Sequence, residues 1–185
     1  MSRQFSIKTV KFALGCVAML ALATVTAAPA SAQRAGSWVD IGNGFARSGA
    51  SADGSLVQFA KSKSSSKNGV QFGHGFAVGA GPQGISLSNS IGGGTGPLGA
   101  AHNVNLHVGR NGTHLSHGGV VSQGGNRRVI SGGGTGSYNG RVGGGSTSTG
   151  FGSHTKAYSK SQTRQWNGGF TGQRLRGSAR GFRFR

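Results

Sequence analysis

From Asn68 to Gly109 the chain runs for 42 residues without a charged side chain, and apolar residues fall on every second position. Val70, Phe72, Phe76 and Val78 share a register with His74 and alternate with Gln71, Gly73, Gly75, Ala77 and Gly79. Ile85, Leu87 and Ile91 alternate with Ser86, Ser88 and Ser90, and Val104, Leu106 and Val108 alternate with Asn103, Asn105 and His107. Successive side chains on a strand point to opposite faces, so each segment has one apolar face and one face of small or amide side chains. A helix would scatter the same residues around its axis, and each glycine in it would cost roughly 1 kcal/mol relative to alanine. The pattern predicts an all-β fold.

The turn signals agree. Asn43-Gly44, Asp53-Gly54, Asn68-Gly69, Asn111-Gly112, Asn139-Gly140 and Asn167-Gly168 are dipeptides that accept positive φ in tight hairpins, and Pro82 and Pro97 supply a fixed φ for the second residue of a turn. From Asn43 to Asn111 these signals come at intervals of 10, 15, 14, 15 and 14 residues. Such a cadence predicts a short-strand, Gly-rich meander or a β-solenoid. Gly-Gly-Gly-Thr-Gly occurs at 92–96 and again at 132–136, an offset of 40 at which His74 also matches His114 and Gln83-Gly84 matches Gln123-Gly124, which suggests an internal duplication.

Four segments follow from composition. Residues 1–32 read as a helical secretory signal peptide: Arg3, Lys8 and Lys11 precede an apolar run from Phe12 to Ala28, and Ala30 and Ala32 occupy the small positions of a cleavage site near Ala32/Gln33. The single cysteine, Cys16, falls inside that run, so the exported chain has no thiol for a disulfide or a metal site. Residues 33–67 are a polar lead-in with short strands, in which Lys61 to Lys67 reads as a solvated Lys/Ser loop. Residues 68–153 are the Gly-rich β region, and residues 154–185 form a basic Arg/aromatic tail whose composition predicts disorder.

Chemistry is sparse. The chain has 20 Lys and Arg against 2 acids, Asp40 and Asp53, for a net charge of +18. No carboxylate follows Asp53, and there is no nucleophile elbow, phosphate loop or dinucleotide fingerprint, so the expectation is a non-enzymatic protein without cofactor or evident small-molecule substrate. His102, His107, His114 and His117 lie within 16 residues, but His114 and His117 would point to opposite faces of a strand, so these side chains read as polar residues on a wet sheet face rather than as a metal site. Asn111-Gly112-Thr113 is a glycosylation sequon.

Three function classes fit. The first is a secreted cell-surface or extracellular-matrix structural component that self-associates through strand edges, using Val70, Phe72, Phe76, Val78, Ile85, Leu87, Ile91, Val104, Leu106 and Val108, and attaches to anionic polymers by its tail. Ser65, Gln71 and Gly73 share the spacing of the repeats of curli-type amyloid subunits over one incomplete repeat, with Phe76 where that family has Asn. The second is a cationic antimicrobial or envelope-binding protein directed to anionic polysaccharide or an anionic membrane surface; its composition is similar to that of Gly-rich insect defence proteins such as attacins. The third is an extracellular nucleic-acid binder. In all three, polyanion binding falls to Arg164, Arg174, Arg176, Arg180, Arg183 and Arg185, since guanidinium groups pair bidentately with phosphate, sulfate or carboxylate.

Overall fold

The computed structural model describes residues 32–166 and the pair Gly177–Ser178; residues 1–31 of the expected signal peptide and the expected turn dipeptide Asn167-Gly168 lie outside the described residues. Ten long strands run in order: β1 (Gln33–Gly42), β2 (Phe45–Asp53), β3 (Val57–Lys67), β4 (Val70–Gly81), β5 (Gly84–Thr95), β6 (Leu98–Gly109), β7 (Gly112–Gln123), β8 (Arg128–Tyr138), β9 (Arg141–Phe151) and β10 (His154–Gln165). A two-residue strand, β11 (Gly177–Ser178), pairs with Lys160 and Ser161 of β10. All ladders are antiparallel, and they make two facing sheets: a four-stranded one in the order β2-β1-β8-β9, and a larger one in the order β10-β7-β6-β5-β4-β3, with β11 beside β10. The all-β expectation holds: β3 to β7 pair in sequence order as a meander, and the two sheets together form an antiparallel sandwich rather than a solenoid.

Two of the expected dipeptides take both central positions of their hairpins with positive φ, whereas between β6 and β7 the central pair is Arg110-Asn111 with Gly112 opening β7, and Gly54 begins a three-residue connection from β2 to β3. Asn68 and Gly69 have φ of 53° and 74°, and Asn139 and Gly140 have 47° and 73°, as a type I′ turn requires at both central positions. Between β5 and β6 it is Gly96, at φ 50°, that takes the first central position, which moves Pro97 to the second. Two-residue connections of this kind fix register, so twelve-residue strands pair along their full length from Gly81↔Gly84 to Val70↔Thr95 and from Gly109↔Gly112 to Leu98↔Gln123.

Three expectations change. The Lys/Ser run Lys61 to Lys67 is strand, because its backbone pairs with β4 from Val57↔Ala80 to Lys67↔Val70 whatever its side chains carry. The basic segment expected to begin a tail at 154 is strand β10 as far as Gln165, paired with β7. The lead-in is integral rather than peripheral, since β1 lies between β2 and β8 at the centre of its sheet. The two Gly-Gly-Gly-Thr-Gly strings end in opposite sheets, one on β5 and one on β8.

The interior is made of the small and polar faces. Ser86, Ser88, Ser90, Asn103, Asn105, His107, His114, Ser116 and Ser122 on the larger sheet are fully buried, as are Val39, Ile41, Val129, Ser131 and Gln33 on the smaller. A modest apolar cluster of Val39, Ile41, Ala101, Val120 and Val129 occupies part of the layer. Elsewhere the sheets are joined by hydroxyl and amide groups. Ser37 Oγ lies 2.8 Å from Ser88 Oγ and 2.9 Å from Ser90 Oγ, Asn103 Nδ2 donates to Ser131 Oγ at 2.7 Å, and Asn105 Nδ2 donates to the Gly145 carbonyl at 3.2 Å. Buried polar groups are tolerated where they find such partners, although both side-chain polar atoms of Gln33 have none among the described residues. The sheets also approach closely: a Cβ on Gly75 would collide with the Gly49 carbonyl oxygen, and one on Gly79 with the Asp53 carbonyl oxygen.

Candidate interaction surface

With the small residues inside, the apolar register of the larger sheet faces outward. None of the ten residues expected to mediate self-association is buried; Val70 is 55% exposed, Val108 51%, Ile91 46% and Phe72 39%, and the others are half-buried or exposed. Leu98, Leu115, Val121 and Tyr158 extend the same surface. These ten residues sit on β4, β5 and β6, each paired on both sides, so they occupy a sheet face and not an open strand edge. Strands spaced about 4.8 Å apart and rising about 3.3 Å per residue give the outer face of the six strands, its polar and cationic positions included, roughly 900 Å².

Cations border the face on both sides. Lys61, Lys63 and Lys67 share the outer register of β3, through their partners Phe76, His74 and Val70. Lys156, Lys160 and Arg164 share that of β10, through Val121, His117 and Thr113. Neither acid of the chain lies on this sheet: Asp40 is on β1 and Asp53 ends β2. Asp40 is held by Arg128, with Nε to Oδ1 at 2.8 Å and Nη2 to Oδ2 at 2.7 Å, and these bonds raise the guanidinium pKa. Of the six arginines expected to bind polyanions, Arg164 is exposed on β10, and Arg174, Arg176, Arg180, Arg183 and Arg185 lie outside the described residues.

The four clustered histidines separate by face. His102 and His117 stand on the outer side with ring centroids 6.3 Å apart, beside Tyr158. His107 and His114 do not lie on a wet face as expected; they are fully buried register partners on β6 and β7. His107 Nδ1 lies 2.8 Å from Ser86 Oγ and His114 Nδ1 lies 2.7 Å from Thr163 Oγ1, while neither Nε2 has a hydrogen-bond partner among the described residues. Burial, then the neighbouring charge of His114, pushes His107 down to about 4, and burial also lowers His114. Among the described residues no three His, Cys, Asp or Glu side chains converge as a metal site would require.

Sequence reasoning missed two features. Arg127, buried at the crossing from β7 to β8, donates from Nε to the Gly96 carbonyl at 2.9 Å and from Nη2 to Gln71 Oε1 at 2.6 Å, and burial lowers its pKa. The second is a ledge along β3. Gln58, Ala60, Ser62 and Ser64 have the same inward register as the buried Gly79, Ala77, Gly75 and Gly73, yet all four are exposed because the smaller sheet ends at β2. No family model matches the chain, and no curated protein or solved structure matches it either.

Proposed function

We propose that this chain is a secreted, non-enzymatic structural component of a cell surface or extracellular matrix that self-associates through strand edges and is held to anionic polymers by its basic residues. The observation that carries this reading is the ledge. β3 presents an interior-type surface of Ala60, Ser62 and Ser64 beside the unpaired edge of β2, whose residues Ser48 to Ala52 bear no charge. Edge strands normally carry charges that discourage addition, and here the lysines of β3 all point to the opposite face. A second copy turned about an axis parallel to the strands sets its own β3 beside this β2, antiparallel to it. The two small-residue faces then cover one another, and the contact is reciprocal, as a two-fold interface requires.

Sedimentation of the exported chain, Gln33 to Arg185, tests the reading. Association that Ser62→Lys abolishes, with Lys63→Ser as an outer-face control that leaves it intact, is the expected result. A chain that stays monomeric at every concentration removes the assembly part of the proposal. The envelope-binding alternative is favoured by a separate observation, the apolar face bordered by cations. The nucleic-acid alternative depends on arginines beyond residue 166.

A further inference from the structure

We infer that the outer face of the six-stranded sheet is a docking surface for an anionic lipid bilayer, an inference that rests on the envelope-binding reading. The face is broad, with Phe72, Ile91, Leu106, Val108 and Leu115 exposed around a central band of uncharged polar side chains, His74, Asn89, His102 and His117, and it has three cations on each border strand and no acid. An interfacial element holds its apolar surface at the acyl boundary and its Lys and Arg at the headgroups. Tyr158 on β10 and Trp166 just after it, both exposed, are amphipathic rings at the same border, where such rings mark the headgroup level. Between Phe72, Ile91, Val121 and Tyr158 a shallow apolar hollow of about 490 Å³, floored by Gly93 and Gly119, leaves room for hydrocarbon.

The charge distribution selects this occupant over others. If a second copy were stacked face to face, either in-plane two-fold would place lysine borders over lysine or arginine borders, and no acid is present on the sheet to relieve the repulsion. An extended polyanion follows a continuous cationic track, whereas here the two rows are separated by about 25 Å of surface without Lys or Arg at ordinary strand spacing. A bilayer presents negative charge to both rows at once and hydrocarbon to the strip between them.

The test is co-sedimentation of the exported chain with vesicles of phosphatidylglycerol and phosphatidylcholine, against vesicles of phosphatidylcholine alone. Binding to the mixed vesicles only is expected. Lys63→Gln with Lys160→Gln removes one cation from each border and lowers partitioning about fivefold per cation, from the usual worth of a basic residue near an anionic leaflet. Arg47→Gln with Arg141→Gln, on the smaller sheet, removes the same charge and changes binding less than threefold. Leu106→Gln with Leu115→Gln, at exposed positions that leave the β spectrum intact, lowers binding and raises its salt sensitivity. Equal losses in the two charge pairs, or no effect of the leucine pair, would overturn the docking surface while leaving envelope binding standing. Failure of the unmodified chain to bind the mixed vesicles overturns both. A stable dimer that the leucine pair dissociates assigns the face to a second copy and overturns the inference. Ser62→Lys, on the ledge, leaves vesicle binding unchanged, which separates this surface from the proposed assembly.

Discussion

Acid should weaken this fold through its interior histidines. His107 goes from 6.5 when unfolded to about 4 in the sandwich, and His114 is lowered in the same direction. Between these values the unfolded chain binds a proton that the folded chain refuses. The stabilisation is therefore fully present above pH 6.5 and is lost as pH falls toward 4, at about 1.4 kcal/mol per pH unit for each titrating group. His107 alone accounts for roughly 3 kcal/mol over that window, a large share of the ~5–15 kcal/mol that holds an ordinary domain together. With only two side-chain carboxylates in the chain, acid in this range acts mainly on its histidines. Equilibrium denaturation at pH 7.5, 6.5, 5.5 and 4.5 measures the effect. The midpoint should hold between the first two and fall thereafter, and His107→Asn, which retains a polar group facing Ser86, should reduce the slope. A midpoint flat to pH 4.5, or a slope unchanged in the variant, would refute the assignment of a dry interior to these imidazoles.

Further perturbations probe the packing. Gly75→Val drives a branched side chain into the Gly49 backbone and should cost about 3 kcal/mol or abolish folding, read as a fall in thermal midpoint. Arg127→Met removes a buried cation but orphans the Gln71 and Gly96 oxygens, and a loss of about 2 kcal/mol in denaturant titration is expected. Arg128→Gln breaks a well-formed but half-exposed pair with Asp40 and should cost less than about 1 kcal/mol, diminishing with added salt.

The alternation from Val70 to Val108 made the strands and their two faces legible, and the spacing of Asn-Gly and Pro signals made the β4 to β7 hairpins legible as well. Alternation defines two faces without saying which is covered. That choice is settled by the opposite sheet, where Ser37, Gly49 and Gly133 come close enough to Ser88, Gly75 and Asn105 that only small or hydrogen-bonding side chains fit. β1 joins β8 across roughly ninety residues, from Gln33↔Ser137 to Gly42↔Arg128, a pairing no local pattern announces. β3 and β10 were unreadable for another reason: their lysines belong to outer registers, and backbone pairing with β4 and β7 makes them strands. The same ambiguity hid the histidines, whose spacing separates His114 from His117 correctly but gives no sign that His114 faces inward.

The larger sheet keeps its small and polar residues inside and most of its large apolar ones outside. Hydroxyl-radical footprinting of the chain at a concentration where it sediments as a monomer, without lipid, tests this directly, because oxidation follows side-chain exposure. Heavy modification of Phe72, Leu106 and Leu115 with protection of His107 and His114 is expected. Protection of the leucines and phenylalanine, with oxidation of those two histidines, would contradict it.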